Sequence, residues 1–510
     1  MKKVLNKIFS RILIVGCLIA LQAAWFLVFM YRLTDYSMIA NLILKLISVA
    51  AVIQLVSTDM NSDSKLAWTV PILLFPLLGG LMYLLFYQRK PTKGLRTKLE
   101  AAADRVRPLV PSGHEILNRT AKENKIAAGQ MRYLQQIAGY VPFEDTEAEY
   151  FPSGEAGFPT MLEELRKAEH FIFLEYFIIR EGEMWGKVHE ILKEKAEAGL
   201  DVRVIYDDVG SLTYLPFAYR EQMEQEGIRC EAFNRFVPFL SVVMNHRDHR
   251  KILVIDGHTG FSGGINLGDE YINVTSEYGY WKDNVILLRG EGVWGLTVMF
   301  LSMWNGIRPT DEHFEQYLPH TYHPEPFTGK GVVQPYSDSP LDDENVGENV
   351  YLNMIHGAQE SLEILNPYVV LDDQLVTALC LAAKRGVDVR LIIPAVSDHK
   401  IIGWVAESYF PHLMRQGVKI YCYQPGFLHA KVFFCDGKLA TVGTVNLDYR
   451  SLYHHFECGI LLYDTPCLAQ IKADIEDTYR HSTALTLDTI KHGTMIRLVQ
   501  KLLRIFAPLI

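Results

Sequence analysis

The sequence predicts an α/β protein in which two pseudo-symmetric halves, each an αβα sandwich, form one shared site and follow a set of N-terminal transmembrane helices. Three observations carry this expectation. Strand-like apolar runs alternate with helical segments twice over, the pattern of a sheet covered by helices. The pattern HxKxxxxD recurs as His249, Lys251 and Asp256, then as His429, Lys431 and Asp436, with the histidines 180 residues apart and Asn266 and Asn446 at matching offsets. Three long apolar segments fill the first 90 of the 510 residues.

Residues 12–30 contain nineteen positions without a charge, close to the roughly 20 helical residues that cross a bilayer core. Segments 38–57 and 68–87 are also apolar, although Asn41, Lys45 and Gln54 interrupt the former, and a charge at mid-membrane is costly unless it reaches the interface or a partner. Lys2, Lys3, Lys7 and Arg11 precede the first segment, and Arg89, Lys90, Lys93, Arg96 and Lys98 follow the last. Basic flanks favour the cytoplasmic side, so three full crossings cannot satisfy both ends. One segment is then re-entrant, or the N-terminal preference loses. The more basic second flank places the large domain in the cytoplasm of a multi-pass protein. Seven cysteines with no CxxC pair suit a reducing compartment and give no zinc-ligand spacing.

Residues 91–149 read as a helical connector and 150–330 as the first half. A helix near Thr160–Ala168 precedes a strand at His170–Phe177, a helix stopped by Gly199 and a strand at Asp201–Tyr206. The order returns in 331–490, as Leu362–Val370, a helix stopped by Gly386 and a strand at Asp388–Ile393. Such alternation implies a mostly parallel sheet in each half. Pro, Gly, Ser and Asp crowd together near 325–345 and mark the boundary. In residues 491–510, Arg497, Lys501 and Arg504 sit among Ile496, Leu498, Val499, Leu502 and Leu503, a basic amphipathic helix. Contact with a membrane surface and packing on the protein's own surface both fit that pattern.

A strand turns successive side chains to opposite faces, so each motif sets its His and Lys side by side. Asp256 and Asp436 lie an odd five residues beyond the lysines, which points them away and gives them an orienting role; the Asp-Gly pairs at 256–257 and 436–437 are tight-turn signals. The net charge of −9 argues against a nucleic-acid partner, whose binders are usually basic.

The doubled motif, with Gly263 and Asn266 after the first copy and Gly443 and Asn446 after the second, resembles that of the phospholipase D superfamily. The residues Asn245–Lys251, Gly263–Tyr271, Tyr280–Asp283, Gly426–Lys431 and Asn446–Ser451 are similar to the bacterial cardiolipin synthase branch. Gly264 and Thr444 stand where that superfamily often has Ser. The resemblance implies a site with His249, Lys251, Asp256, His429, Lys431 and Asp436 as catalytic residues, Asn266 and Asn446 at the phosphate, and Glu457 in support as an acid that can orient an imidazole. It implies phosphatidylglycerol as donor and acceptor, the bilayer of a bacterial cell membrane as partner, and neither metal nor cofactor. It also suggests His249 as nucleophile and His429 as acid and base, roles that the pseudo-symmetry of the residues leaves open.

The chemistry suits these residue types. A phosphodiester is anionic, so its catalyst must neutralise the non-bridging oxygens, supply a nucleophile and protonate the leaving alkoxide. Two imidazoles and two ammonium groups meet all three needs. Glu175, Tyr176, Asn366 and Pro367, at strand ends, are expected at the pocket rim. Arg247 and Arg250 are candidates for steering an anionic head group, with Arg250 alternatively paired to a carboxylate. Trp281, Lys282 and Asp283 read as structural, His454 and His455 as neighbours of the second motif, and His320 and His399 as structural or exposed. A phospholipase D with another head group or acceptor, a tethered nuclease and an inactive scaffold are the competing functions.

Overall fold

The structure, a computed structural model, describes residues 38–75, 93–235, 246–490 and 493–509, with scattered residues between 21 and 83. Helix α1 (Met38–Val56) and α2 (Ser62–Leu74) form an N-terminal hairpin. Asn61 caps α2 by accepting a hydrogen bond from the Asp63 amide at 2.9 Å. The expected crossing at 12–30 lies outside the described residues, apart from isolated positions. Among the described residues no helix is long and apolar enough to cross a membrane. Of the segment expected at 68–87, α2 covers Trp68–Leu74, and most of the remainder lies outside the described residues.

The connector consists of α3 (Lys93–Val106), α4 (His114–Glu123) and α5 (Lys125–Gln136). In the first half, β1 (Thr146–Phe151), α6 (Gly154–Lys167), β2 (Phe171–Tyr176), α7 (Glu183–Glu197), β3 (Asp201–Asp207) and β4 (Arg229–Phe233) come first. β5 (Lys251–Ile255), β6 (Thr259–Gly263) and β7 (Val285–Gly290) complete it, and α8 (Val293–Ile307) leads onward. The second half runs β8 (Val332–Asp338), α9 (Val346–Gly357), β9 (Ser361–Leu365), α10 (Asp373–Lys384), β10 (Asp388–Pro394), α11 (Lys400–Glu407) and β11 (Lys419–Tyr423). It continues with β12 (Val432–Cys435), β13 (Leu439–Gly443), α12 (Tyr449–Tyr453), β14 (His455–Tyr463), α13 (Leu468–Arg480) and β15 (Ser482–Ala484), and the chain closes with α14 (Thr494–Ile505).

The sheets share one strand order, β1-β7-β6-β5-β2-β3-β4 in the first half and β8-β14-β13-β12-β9-β10-β11 in the second, where β15 adds an edge. Within these two strand orders β2, β3 and β4, and their counterparts β9, β10 and β11, pair in parallel, and the other neighbours pair antiparallel. The sheets are therefore mixed, which corrects the mostly parallel expectation. The cause was visible in the Asp-Gly pairs. Asp256 and Gly257 have φ of 49° and 76°, and Asp436 and Gly437 have 51° and 70°, the left-handed backbone of a tight three-residue loop between the paired Ile255 and Thr259, and Cys435 and Leu439, which can only join antiparallel strands.

Alternation along each strand divides the core into layers. Phe171 and Phe173 on β2 face a core shared with α8 and with Leu365, Val432 and Ile460 of the second sheet. Ile172 and Leu174 face the outer helices α6 and α7. Helices α9 and α10 cover the far side of the second sheet. Two sheets packed about a common core hold the two motifs in a fixed relation, because such interiors are close-packed and transmit little slack.

Candidate active site

Each motif is fixed by its hairpin. The Asp256 carboxylate accepts main-chain hydrogen bonds from Glu169, His170 and Phe171, all at 2.8 Å. Asp436 does the same for Gln359, Glu360 and Ser361, at 2.8 to 2.9 Å. These carboxylates pin the β5–β6 and β12–β13 turns to the starts of β2 and β9, at the end of the strand away from the histidines. Their work is holding backbone. Asp256→Ala is expected to cost about 2–4 kcal/mol of stability, since charged acceptors and a left-handed residue are lost together, while surviving enzyme turns over within a few-fold of normal. Thermal melts beside kinetics check this; normal stability with lost turnover would assign Asp256 to the chemistry.

The histidines are set by strand pairing across the halves. Arg247 and Asp248 add in parallel to the start of β14, opposite His455 and Phe456, and the His249 amide then donates to the Phe456 carbonyl at 2.9 Å. Reciprocally, Gly426–Leu428 pairs in parallel with Tyr280–Lys282, and the His429 amide donates to the Lys282 carbonyl at 2.6 Å. Each motif thus reaches the acid-bearing segment of the opposite half. His249 Nδ1 lies 2.8 Å from Glu457 Oε2 and 2.9 Å from Oε1. His429 Nδ1 lies 2.7 Å from Asp283 Oδ2. A carboxylate at Nδ1 fixes the proton there and leaves Nε2 with its lone pair.

Asp283 and Glu457 are structural equivalents. β6 pairs with β7 so that Gly263 faces Val285, and β13 pairs with β14 so that Gly443 faces Gly459; each acid stands two residues earlier. Asp283, read from sequence as structural, is a site residue. The two positions that replace Ser differ in use. The Thr444 hydroxyl donates to Glu457, and Ser451 adds a second donor at 2.7 Å. A Cβ on Gly264 would lie 1.8 Å from Asp283 Oδ1, so the missing side chain makes room for the carboxylate. Gly264→Ser is expected to displace Asp283 and lower turnover at least tenfold, read in a kcat assay beside a melt that reports folding.

The lysines complete the floor. Lys251 Nζ donates to the His249 carbonyl at 2.7 Å; Lys431 Nζ donates to the His429 carbonyl at 2.5 Å and sits 3.0 Å from both nitrogens of the His429 ring. All four side chains are buried. Burial, followed by the positive charges of Lys251, Lys431 and His429, drives the His249 imidazole well below its usual range. His429 is also lowered, by burial and then Lys431, with Asp283 opposing. Burial first, partly offset by Glu457, brings Lys251 down to about 8, and burial brings Lys431 to about 7, with Asp283 opposing. The site is short of negative charge, which an anionic phosphodiester supplies. Since both ammonium groups must be protonated to hold it, kcat/KM is expected to fall as pH rises through 7–8, whereas kcat, measured with phosphate already raising the lysines, persists to higher pH. A kcat/KM that stays level up to pH 9 contradicts this.

The remaining sequence candidates distribute as follows. Asn266 Oδ1 accepts from the Ile178 amide at 3.1 Å and Nδ2 donates to Tyr271 Oη at 2.8 Å, while Asn446 Oδ1 is buried with no hydrogen-bond partner among the described residues. Glu175 and Tyr176 are not on a rim: both are fully covered, and Glu175 pairs with Arg250. Asn366 is buried too, accepting from the Leu447 amide at 3.0 Å; Pro367 lines a cavity of about 160 Å³ beside α11. Neither arginine steers a head group. Arg247 faces Asp207 at 3.4 Å and Arg250 also reaches Asp248 at 3.3 Å, all nearly inaccessible. His455 stands 5.6 Å from the His249 ring, and burial holds it down to about 3. His249, His455 and Glu457 bring potential metal-ligand atoms within 4.8 Å of one another, but both Glu457 oxygens already accept hydrogen bonds from His249, Thr444 and Ser451.

A duplicated frame that carries one imidazole from each repeat onto a shared, lysine-lined floor is the architecture of the phospholipase D class of enzymes. The family model described as "Cardiolipin synthase, PLD-like domain" matches residues 161–289 and 351–479, and "Phospholipase D-nuclease N-terminal" matches 46–86. An uncharacterized protein of Streptococcus mutans is 43 % identical over 91 % of this chain and 100 % of its own. Cardiolipin synthases of Geobacillus sp. and Geobacillus kaustophilus are 37 % and 34 % identical, over 87 % and 99 % of this chain and 88 % and 99 % of theirs. The crystal structure of a phosphatidylserine synthase from Haemophilus influenzae shares the fold, with a TM-score of 0.56 at 16 % identity over 74 % of this chain and 98 % of that one. The chain belongs to the bacterial cardiolipin synthase family and is a phosphatidyltransferase of the phospholipase D type.

Proposed function

We propose that the enzyme moves the phosphatidyl group of one phosphatidylglycerol onto the terminal hydroxyl of a second, forming cardiolipin and releasing glycerol. The observation that carries this reading is the crossed pairing, in which each imidazole has Nδ1 held by a carboxylate of the other half and Nε2 left for phosphorus. His249 attacks, the role that the family resemblance implies for it. The bond from phosphorus to the glycerol oxygen breaks, protonated His429 gives its proton to that oxygen, and phosphatidyl-histidine remains. His429, now neutral, takes the proton from the incoming hydroxyl as its oxygen attacks, the P–N bond breaks and His249 is regenerated. Lys251 and Lys431 hold the non-bridging oxygens, with Asn446 as a further polar contact. Asp283 and Glu457 position the rings.

A bilayer-bound substrate fits the N-terminal hairpin, which presents Leu42, Ile43, Leu46, Ile53, Leu73, Leu74 and Phe75 on its surface. We place this hairpin in the cell membrane and the catalytic halves on the cytoplasmic side. Purified enzyme with glycerol-labelled phosphatidylglycerol tests the activity. Cardiolipin and free glycerol in equal amounts are expected, and phosphatidic acid as the main product would replace this reading with a hydrolase.

A further inference from the structure

The C-terminal helix has a use that the catalytic reading leaves open. Its inner side is committed to the enzyme. Gln500, 5 % exposed, donates to Glu407 on α11 at 3.1 Å, and the Arg504 guanidinium lies 4.1 Å from the centre of the Tyr409 ring. The turn Ala507–Leu509 that follows buries Ala507 and Pro508 and packs against α2 and α12. Its outer side is apolar. Met495, Leu498 and Leu502, spaced to lie along one stripe of a helix, are 73 %, 53 % and 51 % exposed, and Arg497 and Lys501, also exposed, lie together on one side of the stripe.

Two features of the molecule say what covers this stripe. One is continuity with the N-terminal hairpin. Asn61 donates to Asp372 and to Tyr453, both at 2.9 Å, and Tyr449 donates to Asp63 at 2.6 Å. These bonds fasten α2 to the N-cap of α10 and to α12, the helix that follows Asn446 of the second motif, and α14 packs against α2 on the same flank. The other is charge. An apolar stripe edged by cations is the surface that enters the head-group layer of an anionic bilayer, where each basic residue adds to the attraction.

We propose that α14 is a second membrane contact, lying flat on an anionic phospholipid surface with Met495, Leu498 and Leu502 among the upper acyl carbons and Arg497 and Lys501 at the phosphates. The proposal rests on the reading of the hairpin as membrane-bound. Together the two contacts fix the orientation of the second half, and the loop from Asn446 to α12, against the bilayer.

The test incorporates a photoreactive diazirine amino acid at position 502, or at position 46 of α1, in the full-length enzyme reconstituted into vesicles of phosphatidylglycerol and phosphatidylcholine. Irradiation is expected to give a lipid adduct at both positions. Arg497→Glu with Lys501→Glu should lower the adduct at 502 about tenfold, as should vesicles of phosphatidylcholine alone, with little change at 46. A lipid adduct at 46 but none at 502 overturns the proposal, as does a crosslinked dimer through 502, which would assign the stripe to a second copy of the chain. An adduct at 502 that ignores both changes of charge also overturns it. Absence of lipid at both positions removes the membrane reading underneath as well.

Discussion

His429→Ala is expected to lower cardiolipin synthesis from phosphatidylglycerol by about 10⁴-fold, because a general acid and base typically supplies 10²–10⁴ in rate and this residue serves both transfers. The diagnostic lies in the leaving group. Glycerol alkoxide is too basic to depart without a proton, whereas nitrophenolate needs none. With a nitrophenyl phosphodiester, His429→Ala should therefore release one equivalent of nitrophenolate per site within about tenfold of the normal rate, then stall for want of a base to activate the acceptor. His249→Ala should release none. The reverse, a burst from His249→Ala alone, would exchange the roles. Both rings lie close to both lysines and both are held below their usual range, so the burst, and not the electrostatics, separates the two roles.

Asp283→Asn is expected to be nearly as severe, about 10³–10⁴-fold with phosphatidylglycerol, because an amide at Nδ1 can turn its donor inward and place the ring proton on Nε2, the wrong tautomer. The two acids separate by half. Asp283 sits in the first half and serves His429, so Asp283→Asn should keep the nitrophenolate burst. Glu457 sits in the second half and serves His249, so Glu457→Gln should lose it. Loss of the burst in Asp283→Asn with its retention in Glu457→Gln would mean that each acid serves its own half. Asp283→Asn combined with His429→Ala should be no worse than His429→Ala alone, since the acid acts only through the ring.

The repeat and both motifs were legible because they occupy positions fixed by backbone rules, and Glu457 was reached through the family resemblance. Period two aligns His with Lys, and Asp-Gly closes the hairpin. Asp283 was not, because it follows Asn266 by seventeen residues whereas Glu457 follows Asn446 by eleven; matching by offset fails across that difference. Strand register restores it, through the pairs Gly263 with Val285 and Gly443 with Gly459. Even the crossing is a matter of short parallel pairings, Arg247 with His455 and Leu428 with Lys282, which two or three residues cannot announce in a sequence. Glu175 was expected at the rim because its partner Arg250 lies on the neighbouring strand, whereas the carboxylate pairing read as an alternative for Arg250 is the one it makes. The expected parallel sheet failed for a local reason, as the hairpin geometry of Asp256 and Asp436 outweighed the helix-strand alternation.

Crossed imidazoles acting on one phosphorus are the centre of this account, and the covalent intermediate is their most direct trace. Enzyme mixed with donor lipid carrying labelled phosphorus, quenched within a turnover and mapped under alkaline conditions that preserve phosphoramidates, should yield label on the peptide containing His249, increased in His429→Ala when an activated donor is used. Label on His429, or turnover with no labelled histidine under any quench, would contradict it.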